Sequence, residues 1–144
     1  MSDEVVEDQL RQARQALADA EGARDAELSD AVVINRCYYA CFHAAQAVLY
    51  DRGHDPSSHG GVLSLFGSEA VTAGDAPRDH GRFLNRLSEL RKQADYGYGE
   101  LDEDISELLE RTQAFLENVE TLLGGWDADD RATQSRTSVL LMIE

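Results

Sequence analysis

The chain has 144 residues, enough for one domain with a buried core and too few to expect two, and 42% of them are hydrophobic. Twenty-eight acidic side chains against thirteen basic ones leave a net charge of -15, which at ordinary salt argues against nucleic-acid binding through clustered cations. Twelve of the basic residues are arginines and one is a lysine, Lys92, a pattern that points to a salt-loving host, where molar salt screens charge beyond about 3 Å and leaves local chemistry to decide what binds.

The first residues, Met1 to Glu4, are acidic and precede no apolar run, so no signal peptide is expected. Nothing approaches a membrane-spanning length, and the expected setting is cytoplasmic. A first helix is expected from Asp3 to Ala20, with Val6, Leu10, Ala13, Leu17 and Ala20 as a weak apolar stripe suited to an edge of the bundle. The charged stretch from Glu21 to Leu28 contains Gly22 and reads as a connection. Ser29 before Asp30 is an N-cap for the second helix.

That second helix, Ser29 to Arg52, holds the most informative residues. Helical geometry puts Arg36 and His43 about 20° apart around the axis and about 10 Å apart along it, on one face. Ile34, Tyr38, Cys41, Ala45 and Val48 form an apolar seam on the far side, the side that packs into a bundle. Tyr39, Ala40, Ala47 and Tyr50 surround the two polar residues, so the second face is also apolar and needs a cover. Cys37 and Cys41, one turn apart, read as small buried residues.

Arg52-Gly53-His54-Asp55-Pro56 stops the helix. Ser57 or Ser58 then caps a short third helix with Val62, Leu63, Leu65 and Phe66 toward the core, broken near Gly67 and Gly74. A fourth helix from about Asp79 to Tyr96 carries Phe83, Leu84, Leu87, Leu90 and Ala94 at helical spacing and ends at Tyr96-Gly97-Tyr98-Gly99. The fifth, Asp102 to Leu123, has the cleanest stripe, from Ile105 through Leu108, Phe115 and Val119 to Leu123, with three carboxylates at its positive end. Its acidic face, with Glu107, Glu110, Glu117 and Glu120, reads as solvation. Gly124-Gly125 ends it. The expected fold is all-α, an antiparallel bundle of four to five helices over residues 1–124, with 125–144 as a C-terminal tail whose apolar run Ser138 to Ile143 could dock or pair.

Arginine and histidine on one face suit phosphate chemistry, since guanidinium grips two oxygens and imidazole exchanges a proton near neutral pH. RNA brings its own 2′-OH nucleophile, so such a site needs no metal and no cofactor. On residue types alone, a buried ion pair for Arg36 and a satisfied interface role for His43 is the competing account. Asp95, one turn after Arg91, could pair with it or hold Arg36 across the bundle, and Tyr96 could line a cleft. His59 reads as orienting a helix start, while His54 and His80 read as solvated.

The run Asn35-Arg36-Cys37-Tyr38-Tyr39-Ala40-Cys41-Phe42-His43 resembles the signature helix of HEPN-domain proteins, in particular a small stand-alone prokaryotic group with an Arg-x-Tyr-Tyr-x-x-Phe-His core. Ser58 to Leu63 with Leu65-Phe66-Gly67, Arg82 to Leu90, and Arg91 to Tyr96 match the same group in order. The resemblance implies a homodimer in which two copies of the second helix face one another across a cleft, covering the apolar second face. It further implies a metal-independent RNase with an Arg-x6-His motif, Arg36 and His43, that acts as a toxin on RNA beside a minimal nucleotidyltransferase antitoxin. Asn35, Tyr39, Asp95 and Tyr96 would support that cleft. Family members that do not cut RNA bind or assist the nucleotidyltransferase instead. Active members carry a polar residue after the arginine, where this chain has Cys37.

Overall fold

The computed structural model describes residues 3–97 and 101–124. Among them are five α-helices: α1 Asp3–Asp25, α2 Asp30–Asp51, α3 His59–Phe66, α4 Arg78–Tyr96 and α5 Ile105–Leu122. A π-helical turn, Gly67–Val71, continues α3. The expected all-α bundle is present. The expectations for Tyr98 and for the 125–144 tail fall outside the described residues.

Local chemistry sets the helix ends. The Ser29, Ser58 and Asp104 side chains accept the N–H groups of Val32, Gly61 and Glu107 at 3.3, 3.0 and 3.1 Å, each tying down a donor that the first helical turn leaves unpaired. Asp104 is therefore the cap of α5, and the helix begins three residues later than Asp102. α1 runs past its expected end at Ala20 to Asp25, because Ala23 is still a core residue and its packing carries the helix through Gly22. It closes with Glu27 in the left-handed region, φ 59°. Glu27 N–H donates to the Arg24 carbonyl at 3.0 Å and Leu28 N–H to that of Ala23 at 2.9 Å, the paired bonds of a Schellman stop.

α2 is the axis of the bundle and touches each of the other helices. Twelve of its side chains are buried, including the fully enclosed Ile34, Tyr38, Cys41 and Leu49. Burial of each large apolar side chain is worth about 1.5 to 3 kcal/mol, so this helix anchors the fold. The Phe66 and Phe115 rings meet at 5.3 Å, joining α3 to α5.

α1 lies along the second face of α2 and packs chiefly on it, with a smaller contact to α5, in keeping with its expected place at an edge. Alanines make this possible: Ala13, Ala16, Ala20 and Ala23 of α1 and Ala40, Ala44, Ala45 and Ala47 of α2 are all buried. Short side chains let helix axes approach closely. Gln9 meets His43, and Gln12 to Asp19 flank Arg36 and His43, so α1 runs antiparallel to α2. It is also antiparallel to α5, joined by Arg14 to Glu120 and by Arg24 to Ser106. Part of the cover that α2 requires is thus supplied within the chain.

Two expectations are overturned. Glu120 is not on the solvated face of α5 but 6% exposed, where its carboxylate receives the Arg14 guanidinium. His80 is not solvated at a helix end; it is half-buried with its ring 5.3 Å from Phe115, and burial, the main cause, lowers its pKa. No helix among the described residues is long and apolar enough to cross a membrane.

Candidate functional site

α2 carries Arg36, Tyr39 and His43 at spacings of three and four residues, so one helical face presents all three. α1 forms the opposite wall. Between them is an open groove of about 210 Å³, lined by Gln12, Gln15, Ala16 and Asp19 from α1 and by Arg36, Tyr39 and His43 from α2.

Asn35 and Tyr39 hold Arg36. Its Nε and Nη2 both donate to the Asn35 Oδ1, at 3.0 and 2.8 Å, and its guanidinium carbon lies 5.3 Å from the centre of the Tyr39 ring. His43 Nδ1 donates to Gln9 Oε1 at 2.8 Å, since an amide oxygen can only accept. This bond puts the ring proton on Nδ1 and leaves Nε2 as a bare acceptor. Burial is the main cause that lowers the His43 pKa, and the adjacent Arg36 charge adds to it. The result is an imidazole that stays neutral and basic near pH 7, beside a fixed cation.

Other predicted residues are placed differently. Asp95 does not reach across to Arg36; it accepts from Arg91 at 2.8 Å within α4. Tyr96 is 69% exposed at the end of α4 and does not line the groove. Cys37 is fully buried against Thr112 of α5, and burial raises its thiol pKa to about 11. The position after Arg36 is therefore a core position here, and the polar contact to the arginine comes from the residue before it.

The structure adds residues that residue spacing does not single out. Arg91 stands over Tyr38 at 5.0 Å and 5.9 Å from the Tyr39 ring, so Tyr39 has two arginines near it. His59 is not limited to orienting a helix start. Its Nδ1 lies 3.1 Å from the Tyr38 hydroxyl and its ring packs 4.3 Å from Phe42. Gln9, Gln12 and Gln15 of α1 were legible as three uncharged residues spaced by three in a highly charged helix, next to its apolar stripe.

A larger groove, about 360 Å³, lies between α1 and α5, but Glu21, Glu117 and the buried Glu120 line it with negative charge and no histidine reaches it. It does not suit a phosphate. Among the described residues, no group of three His, Cys, Asp or Glu side chains could hold a metal ion.

The HEPN domain family model matches residues 6–122. The chain is 35% identical over 125 residues to a UPF0332 protein of Thermotoga maritima, covering 84% of this chain and 92% of the relative. A UPF0332 protein of Gloeobacter violaceus is 37% identical over 91 residues, covering 63% of this chain and 71% of that one. A Methanocaldococcus jannaschii protein that bears the name "Putative toxin" is 30% identical over 91 residues, 62% of this chain and 68% of its own length. With the five-helix bundle and the Arg36 to His43 helix at its axis, a match that takes in all five helices means that this chain belongs to the HEPN domain family.

Proposed function

We propose that the protein is a toxin-type, metal-independent endoribonuclease that works as a homodimer in the cytoplasm of a salt-rich cell, with Arg36 and His43 as its catalytic pair. One observation carries the reading: His43, tied to Gln9 through Nδ1, and Arg36, held by Asn35, share one open groove. His43 Nε2 accepts the 2′-OH proton of the RNA, and the 2′ oxygen attacks the adjacent phosphorus. Arg36 balances the charge that develops on the phosphoryl oxygens, a term worth about 10²- to 10³-fold in rate for a well-placed donor. The toxin designation of the M. jannaschii relative agrees with this reading. Val32, 41% exposed and one turn before Arg36, extends the face on which a second copy would pack.

The test is RNA cleavage by purified protein in high salt with excess chelator. Wild-type protein should cut and His43→Ala should not. Intact RNA with the wild-type protein, at protein levels that saturate the dimer, would sink the proposal.

The buried Cys37 favours a second reading, because active relatives are expected to carry a polar residue there. In it the chain is a non-cutting module that binds or assists a nucleotidyltransferase partner. Co-purification with the product of the neighbouring gene tests it, and a chain that purifies alone and cuts RNA would exclude it.

A further inference from the structure

We propose that His59 is the proton donor to the leaving oxygen, so that a single chain holds both members of an acid–base pair; the inference rests on the ribonuclease reading of the groove. The chemistry requires such a group. As the 2′ oxygen bonds to phosphorus, the bond from phosphorus to the 5′ oxygen breaks, and an alkyl 5′ oxygen leaves well only as an alcohol. Arg36 does not give up its proton, and the Asn35 carboxamide is no acid near neutral pH. A second imidazole is the natural supply.

The structure brings one close to the groove, beside the Tyr39 ring that lines it. His43 and His59 border the same two rings: His43 lies 6.2 Å from Tyr39 and 5.5 Å from Phe42, and His59 lies 5.9 and 4.3 Å from them. His59 is the first residue of α3 and is exposed. An exposed histidine ordinarily has no fixed orientation, yet this one is anchored at 3.1 Å by the hydroxyl of Tyr38, a side chain with no exposed surface. That anchor occupies Nδ1 and leaves Nε2 for a ligand. Arg91 lies 5.0 Å from the Tyr38 ring and 5.9 Å from the Tyr39 ring and its charge acts on His59, while Arg36 lies 5.3 Å from the Tyr39 ring, so both imidazoles have a guanidinium nearby.

The step balances. The 2′-OH proton passes to His43 Nε2, the bond between the 2′ oxygen and phosphorus forms, the bond to the 5′ oxygen breaks, and His59 in its protonated form, which grows in as pH falls because burial and Arg91 lower its pKa, gives its proton to that oxygen. The products are a 2′,3′-cyclic phosphate and a 5′-hydroxyl. The pair has gained one proton and lost one, and exchange with water resets it.

The experiment compares two substrates for the full-length chain in excess chelator: a ribodinucleotide, and a nucleoside 3′-(4-nitrophenyl phosphate), whose nitrophenolate leaves without a proton. His59→Ala should slow dinucleotide cleavage by about 10²- to 10⁴-fold while its rate on the aryl ester stays within a few-fold of wild type. His43→Ala should lose both. Tyr38→Phe, which keeps the ring and removes the anchor, should lose part of the dinucleotide rate only, and an unchanged melting temperature for His59→Ala confirms that the fold is intact. The inference is overturned if His59→Ala cuts the dinucleotide at the wild-type rate, or if it loses both substrates equally. If the wild-type chain cuts neither, the ribonuclease reading itself fails and this inference with it, whereas a fully active His59→Ala leaves that reading standing.

Discussion

The Asn35 carboxamide oxygen accepts both the Nε–H and an Nη2–H of its sequence neighbour Arg36, at 3.0 and 2.8 Å. Adjacent helical residues point about 100° apart, so the contact forms only because the arginine folds back along the helix surface. It fixes the guanidinium beside Tyr39. Asn35→Ala should therefore reduce RNA turnover by roughly 10-fold through misplacement of Arg36, against roughly 10²- to 10³-fold for Arg36→Ala. Single-turnover rates at saturating RNA would show it. Equal rates for Asn35→Ala and wild type would mean that Tyr39 alone positions the arginine.

His43 and His80 share one pH consequence. Burial is the leading cause that lowers the pKa of each. A histidine depressed in the folded chain is neutral there, while the unfolded chain takes up its proton near 6.5. The stability each contributes is complete above about pH 6.5 and declines as pH falls toward the folded value. The melting temperature should therefore drop between about pH 7.5 and pH 5, and His80→Gln should shrink the drop. An unchanged drop in His80→Gln would assign it to His43, His59 or the carboxylates instead.

The same sign governs catalysis. His43 serves as a base only when neutral, so the cleavage rate at limiting RNA should fall on the acid side with a midpoint below the ordinary histidine value of about 6.5. Arg36→Gln removes the nearby charge and should move that midpoint upward. A midpoint that stays in place would show that burial alone sets it.

Cys37 offers a direct test of its place in the core. It has no exposed surface, and an asparagine side chain at this position would bring a carboxamide among apolar neighbours. Cys37→Asn should cost about 1 to 3 kcal/mol in chemical denaturation and should not raise RNA cleavage. Enhanced cleavage by this variant would mean that its side chain reaches the groove.

Arg14 and Glu120 join the first helix to the last. The arginine is half exposed and the carboxylate is buried. Truncation of a partner in a fully buried pair costs about 3 to 5 kcal/mol, and solvent screening of Arg14 reduces this to about 1 to 2 kcal/mol for Arg14→Ala. Urea unfolding at two salt concentrations would measure it, and no change would show that other contacts suffice for Glu120.

Much of this architecture is legible from residue spacing. The period of Ile105, Leu108, Phe115 and Val119 places α5, Ser29 marks the start of α2 to the residue, and the Ser57-Ser58 pair marks that of α3 to within one. The Arg36 to His43 face follows from helical geometry. What spacing cannot carry is the pairing of helices. The stripe of α1 is rich in alanine, too weak a signal to name a partner, and only its docking on α2 brings Gln9 to His43. The surroundings of His59 and Arg91 escape it for the same reason: their neighbours are Tyr38, Tyr39 and Phe42, residues up to 53 positions away that meet them only in the bundle. Glu120 defeats it because a polar residue beside the apolar stripe can lie in solvent or under an adjoining helix.

The antiparallel pair of α1 and α2 has a consequence for the order of folding. The contact of Gln9 with His43 closes a separation of 34 residues, whereas Arg14 and Glu120 close one of 106. Loop closure costs more entropy as the separation grows, and local pairings form sooner. The groove wall is thus assembled by a helical hairpin from the first third of the chain, ahead of the docking of α5. During synthesis, the face that carries Arg36 and His43 takes shape while the helix that seals the core is still to be made.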